Sequence, residues 1–343
     1  MAKKEVKEES GKGKLQDALD KLNKQYGLGS VLTLENKTGG NYDLISSGSI
    51  GLDYITLGVG GFVRGKLYEL VGWEGVGKST ICGHAAAECQ KKGGKVLYID
   101  GEHAVDKKYF EQLGVDTAKM LIAQPGNGEE GFNIAMEMIK SGEIALIIID
   151  SDSSLIPKAV IDGEVGDSSI GKKARLNSSA YPQMKSALSE NNVCVIVVSQ
   201  YREKIGVMFG DPRTTQGGHA LKFYADVRIE ISKTLAKEGD VNYGNITKMK
   251  AIKNKMSPPY RLTQFEVLFG KGIDKLGEIM QLATDLEVGK KYGKTFTFKD
   301  VKYDLEEFKK MLEEPKFFNE LKTSIIEGIK NADLKVEEPI ETE

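Results

Sequence analysis

The chain has 343 residues, 40% of them hydrophobic and 29% charged, with a formal net charge of −2. This is an ordinary composition for a globular protein, enough for one large domain with attachments or for two domains, and it excludes a bulk polycation, so any polyanionic partner has to be met by a local basic patch. The three cysteines form no C-x-x-C pair and no apolar run has bilayer length, which leaves a cytosolic protein in a reducing compartment as the expectation.

Residues 1–13 are charged and glycine-spaced, the composition of a disordered leader without a signal-peptide core. Leu15, Ala18, Leu19, Leu22 and Tyr26 then recur at helical spacing, and Gly27 is placed to end the helix. Spacing alone does not decide whether that helix packs on its own domain or on a neighbouring subunit. Residues 39–66 hold eight glycines, and Ser46–Asp53 reads as the start of a helix.

The apolar strand 67–71 runs into Gly72-Trp73-Glu74-Gly75-Val76-Gly77-Lys78-Ser79-Thr80, which fits the phosphate-binding pattern G-x-x-x-x-G-K-[ST]. Glycines there let backbone N–H groups turn inward, and the helix that follows presents its positive end to the same point. In such loops the lysine reaches the β- and γ-phosphates and the serine holds Mg²⁺, which assigns those roles to Lys78 and Ser79. Cys82 and Cys89 lie seven apart on the following helix and suit small buried groups better than a metal.

Strands and helices then alternate. Strands are expected at 95–100, 120–123, 145–150 and 193–198, with helices at 107–113 and 129–140, a parallel sheet covered on both faces. Polar groups gather at the carboxyl ends of these strands: Asp100-Gly101-Glu102-His103, Asp150-Ser151 and Ser199-Gln200. Asp150 after a run of apolar residues has the pattern of a carboxylate that binds Mg²⁺ through water; capping the next turn is the alternative. Glu102 is placed to polarise a water, or to open a helix beside the structural His103.

Residues 201–219 read as a long mobile loop mixing Arg202, Lys204 and Arg213 with Ile205, Val207, Met208 and Phe209. A second loop, 161–168, precedes Lys172, Lys173 and Arg175. Cations among exposed apolar groups suit a single nucleic-acid strand; plain surface loops remain the other reading.

With these motifs in place, the chain resembles the RecA family of recombinases, bacterial and phage-encoded. The resemblance runs from about Leu15 to Leu282. It is carried by 72–80, by Tyr98–Asp106, by Gly163–Ser168, by Lys204–Gly210, by Thr214–Gly218 with Ala220–Tyr224, and by Lys253-Asn254-Lys255. It implies an α/β fold: a P-loop NTPase RecA-type core with a mostly parallel sheet, an N-terminal helix and a small α/β C-terminal domain. The implied divisions are 1–38 for leader and polymerisation helix, 39–274 for the core, 275–333 for the C-terminal domain and 334–343 for an acidic tail.

The implied activity is a DNA-dependent ATPase using ATP and Mg²⁺. It would form a homo-oligomeric helical filament on single-stranded DNA, pair it with homologous duplex DNA and exchange strands. Single-strand-binding or loader proteins are expected partners, and no membrane is. By matching position Glu102 is similar to the catalytic glutamate, and Gln200 to the glutamine that senses the γ-phosphate. Asp106 and Tyr109 fall where adenine is held. Lys253 and Lys255 match lysines that reach a neighbour's ATP. Val165, Arg175, Arg202, Lys204, Met208, Phe209 and Arg213 fall in or beside the two DNA-binding loops, and Phe223 at a subunit-interface position. The chain departs from the family's pattern at Trp73-Glu74-Gly75-Val76, where Pro-Glu-Ser-Ser is usual, at Ser199, where Asn is usual, and near Pro182, where a basic residue is usual. A mediator with little ATP turnover, and a ring helicase or clock-type ATPase of similar core, are the alternatives.

Overall fold

The structure is a computed structural model and describes residues 5–27, 30–31, 42–164, 171–203 and 212–332. Residues up to Asp43 form one unit and residues from Leu44 another. The first holds helix α1 (Glu5–Tyr26), closed by Gly27 at φ +97°. Here the expectation of a disordered leader is corrected: the helix begins at Glu5, because Glu and Lys are good helix formers and carry it through Gly11 and Gly13. Leu15 and Tyr26 stand exposed on it.

In the second unit β1 (Leu44–Ile45) pairs with β2 (Phe62–Val63), with one wide helical turn at Leu52–Thr56 between them. There follow β3 (Leu67–Gly72), α2 (Lys78–Lys91), β4 (Lys95–Asp100), α3 (Lys107–Gln112), β5 (Leu121–Ala123), α4 (Gly128–Lys140), β6 (Ile144–Asp150), α5 (Lys158–Ile161), α6 (Lys172–Asn191) and β7 (Cys194–Glu203). The chain continues with β8 (Arg213–Thr215), α7 (Ala220–Tyr224), β9 (Val227–Glu238), β10 (Val241–Asn254), β11 (Leu262–Leu268) and β12 (Gly272–Ile273).

One sheet runs β12-β11-β10-β9-β3-β7-β6-β4-β5. The segment from β9 to β5 is parallel, and β9 to β12 is an antiparallel meander. The central strands are continuous apolar runs: all seven residues of β6 are buried, and all six of β3. A strand covered on both faces needs apolar side chains at every position, whereas β9 alternates buried and half-buried from Val227 to Ile231. Apolar clusters fill both faces, one under α2 and the other under α4 and α6.

The loop expected over residues 201–219 is in part a hairpin, with β7 running on to Glu203. Tyr201, Arg202 and Glu203 pair antiparallel with Thr215, Thr214 and Arg213. Lys204, Met208 and Phe209, with Val165 of the first loop, lie outside the described residues, as does the acidic tail.

The last stretch folds as α8 (Lys275–Asp285), the antiparallel sheet β13 (Gly289–Tyr292), β14 (Thr295–Phe298) and β15 (Val301–Asp304), then α9 (Leu305–Glu313) and α10 (Pro315–Asn331). Phe296, Phe308, Phe317, Leu321 and Ile325 make its core, and Ile50 from the wide helical turn's approach joins them. Glu278 of α8 accepts from the Ser49 hydroxyl and from Gly51 N at 3.0 Å. Among the described residues no helix is long and apolar enough to cross a membrane.

Candidate active site

The turn after β3 is held by two glycines at which a side chain would be strained. Gly77 caps α2 at φ +93°, and a Cβ on Gly72 would lie 2.5 Å from the Ile231 carbonyl oxygen. Lys78 curls back over the loop and donates to the carbonyls of Gly72 at 3.1 Å and Trp73 at 2.7 Å. Burial pushes its ammonium pKa down, while Asp150 and Glu102 hold it up. Its hydrogen-bond partners are neutral carbonyls, and a phosphate at the turn would offer it a charged acceptor instead.

Ser79 donates to Asp150 Oδ2 at 2.6 Å, and Tyr98 donates to the same oxygen at 2.6 Å. Burial raises the Asp150 pKa and the two hydroxyl donors oppose the rise. A hydroxyl beside a carboxylate is a donor set that fits Mg²⁺, which takes few protein oxygens and completes its shell with water and phosphate. Among the described residues no group of three or more His, Cys, Asp or Glu gathers at one point, so phosphate oxygens would have to supply much of such a shell.

Glu102, two residues past β4, is exposed, and its Oε1 accepts from Gln200 Nε2 at 2.8 Å and from the Ser151 hydroxyl at 2.6 Å. Lys78, Ser79, Glu102, Asp150 and Gln200 line one cavity of about 280 Å³ together with Glu74, Gly75, Gly77, Thr80 and Val198. Three widely separated segments thus converge beside the P-loop, as the strand ends implied.

A larger cavity of about 610 Å³ adjoins Gly75, Gly77 and Thr80 and is walled by Asp106, Tyr109, Lys233, Asn245 and Phe269. Asp106 caps α3, accepting from Lys108 N at 2.8 Å, and the Tyr109 and Thr80 hydroxyls meet at 2.9 Å. Lys233, Asn245 and Phe269 were not singled out from the sequence; they come from β9, β10 and the end of β11, the meander that the alternation of β9 hints at. Trp73 is 41% exposed, and its ring packs edge-on against Tyr201 with centroids 5.9 Å apart. Tyr201 in turn donates to Glu230 at 3.0 Å.

Arg213 forms an ion pair with Glu230, its guanidinium 5.1 Å from the centre of the Tyr201 ring. Arg202 and Arg175 are exposed, the first on β7 and the second in the first turn of α6. Lys253 and Lys255 do not join the P-loop cavity. Lys253 lies opposite Arg228, which is in register with Glu69, so it sits three strand residues, roughly 10 Å, back from Gly72. Its Nζ donates to the carbonyls of Lys222 at 2.7 Å and Phe223 at 2.9 Å, and burial, with Lys255 and Arg228 nearby, lowers its pKa. Phe223 beside it is 72% exposed.

A glycine-rich turn between a buried parallel strand and a helix, its lysine and serine facing a strand-end carboxylate, defines a P-loop nucleotide-binding protein of the α/β class. The family model for the RecA N-terminal domain matches residues 13–274. The chain belongs to the RecA family. It is 47% identical to Protein RecA of Cytophaga hutchinsonii over 84% of this chain and 81% of that one. It is 44% identical to Protein RecA of Porphyromonas gingivalis over 95% and 97%, and 41% identical to that of Halalkalibacterium halodurans over 97% and 96%. It is a recombinase: a DNA-dependent ATPase with strand-exchange activity, which binds DNA and assembles into filaments, and its family uses ATP and Mg²⁺.

Proposed function

We propose that this recombinase hydrolyses ATP at the 72–80 turn and uses the bound nucleotide to control two DNA-binding loops. Mg²⁺–ATP supplies the phosphoryl group and the charge-neutralising metal when bound. The backbone of Gly72–Thr80 cradles the phosphates, Lys78 pairs with the terminal ones, and Ser79 and Asp150 hold the metal. Glu102 orients and polarises the attacking water. Asp106 and Tyr109 flank the base. Gln200 reads the γ-phosphate and passes its state to the strand that it belongs to.

Lys253 and Lys255 act on the ATP of the adjoining subunit. What supports this is their distance from their own P-loop: a lysine roughly 10 Å back along the sheet serves another site better than its own. Arg175, Arg202, Lys204 and Arg213 contact phosphates of single-stranded DNA, while Val165, Met208 and Phe209 approach its bases. Residues 1–38 serve polymerisation, 39–274 catalysis and DNA binding, 275–333 a separate C-terminal role, and 334–343 form an acidic tail. The setting is the nucleoid-bearing cytoplasm, or the host cytoplasm for a phage-encoded protein, with single-strand-binding or loader proteins as partners.

The observation that carries this reading is the Gln200–Glu102 hydrogen bond at 2.8 Å, since it ties the residue beside the cleaved bond to the stem of residues 201–215. ATP hydrolysis measured with and without single-stranded DNA across a salt series tests it. Strong stimulation that fades with salt is expected. Turnover indifferent to DNA, with DNA still bound, would replace it with the mediator reading.

A further inference from the structure

Two residues beyond Asp150, Asp152 is buried with 2% exposure and opens the short turn Asp152–Ser154. Among the described residues, the side chains that bond or pair with its carboxylate are donors from α6. Asn177 Nδ2 lies 3.1 Å from both oxygens, the Tyr181 hydroxyl donates at 2.5 Å, and Lys173 Nζ stands 3.5 Å from Oδ1. Lys173 also donates to the Leu155 carbonyl at 2.6 Å, and Asn177 Nδ2 reaches the Gly217 carbonyl at 3.3 Å. Asn177 Oδ1 is buried with no partner among the described residues, so the amide is held through its donors alone. Gly217 has φ +85°, and a Cβ there would lie 2.2 Å from Asn177 Nδ2. That approach admits only glycine.

The same segment faces the nucleotide site on its other side. Asp150 accepts from Ser79, and the Ser151 hydroxyl donates to Glu102 at 2.6 Å. Residues 150–152 therefore touch, in succession, the metal-binding serine, the catalytic glutamate and the root of α6. Helix α6 begins just after residues 165–170, and Gly217 just after β8. Asp152 thus fastens the start of α6 and, through Asn177, the segment that follows β8.

We propose that Asp152 is a positioning residue that couples the nucleotide site to both DNA-binding loops at once, a route separate from Gln200. The physical reason is the cost of parting a buried carboxylate from its donors: a shift of residues 150–152 is followed by α6 and Gly217 rather than absorbed by broken contacts. The proposal rests on the assignment of residues 162–170 and 201–215 to DNA.

The test is ATP hydrolysis by the full chain with and without oligo(dT), together with the melting temperature. Asp152→Asn turns an acceptor into a donor facing three donors. DNA-free turnover is expected to stay within about twofold, while stimulation by DNA falls by about tenfold. Tyr181→Phe removes one donor, keeps the ring against Phe132, and should give a smaller loss in the same ratio. The double variant Asp152→Asn/Asn177→Asp restores a donor–acceptor pair between 152 and 177 but not the contact with the Gly217 carbonyl, and should recover part of the stimulation. Full stimulation in Asp152→Asn overturns the coupling. A loss that follows the melting temperature and is not recovered by the exchange overturns it too, since it marks a purely structural role. No stimulation in the unaltered protein removes the DNA assignment itself, and the coupling with it.

Discussion

Gln200 Nε2 and Glu102 Oε1 meet at 2.8 Å, joining β7 to the turn after β4 across the intervening β6. Glu102 is held there by a second donor, Ser151. A γ-phosphate held by Lys78 would compete with that carboxylate for the glutamine's amide.

Gln200→Ala should leave nucleotide binding intact and weaken what nucleotide does to DNA. Tightening of single-stranded DNA by a non-hydrolysable ATP analogue should shrink by about 1–3 kcal/mol, read as fluorescence anisotropy of a labelled oligonucleotide. Tightening to the unaltered extent would mean that Gln200 is not the sensor.

Lys78→Ala removes the buried ammonium that now leans on two carbonyls. Nucleotide-dependent filaments should disappear under the electron microscope, and hydrolysis with them. Undiminished turnover would contradict the assignment of residues 72–80.

Action across the subunit boundary has a stoichiometric signature. Glu102→Gln should lower turnover by about 10²–10⁴-fold, as expected for loss of a group that handles a proton. A Lys253→Ala/Lys255→Ala chain should also be inactive. Mixed in equal amounts, the two should regain activity at about a quarter of their interfaces, where an intact glutamate faces intact lysines across a head-to-tail contact. No recovery on mixing would place the lysines in their own subunit's chemistry.

Glu278 gives a pH dependence whose sign can be stated. Burial pushes its carboxyl up to about 7 from 4.5, helped by Asp53, itself pushed up to about 6 from 3.8. Between 4.5 and 7 the folded chain keeps a proton that the unfolded chain has released. The stabilisation is complete below about 4.5 and is lost as pH rises through 7. Glu278→Gln stays neutral and can still accept from Ser49 and Gly51. Relative to the unaltered chain it should gain up to roughly 3 kcal/mol between pH 4.5 and 8, seen in calorimetric melts. An equal difference at both pH values would rule out this titration.

The ends of the central strands were legible because fully buried parallel strands must be apolar throughout, so Asp150, Glu102 and Gln200 stand out where the runs stop. The meander β9–β12 was harder. Its strands are half-exposed and lysine-rich, and only the alternation of Val227, Ile229 and Ile231 marks them. Lys233, Asn245 and Phe269 were missed with it. Contacts between distant segments left no local signal at all: Ser151 reaches Glu102 across 49 positions, and Ser49 reaches Glu278 across 229. Asp152 looked like one polar residue in a serine-rich turn until α6 brought three donors to it.

Trp73 is the chain's single tryptophan, and it sits in the P-loop with its ring on Tyr201, the residue after the proposed sensor. Indole emission reports the polarity and the quenchers around one ring, so the whole tryptophan signal of this protein originates within a few ångströms of the phosphate cradle. The unlabelled protein therefore carries its own optical probe: a stopped-flow trace of its fluorescence should report nucleotide arrival at the cradle, averaged over the subunits of a filament.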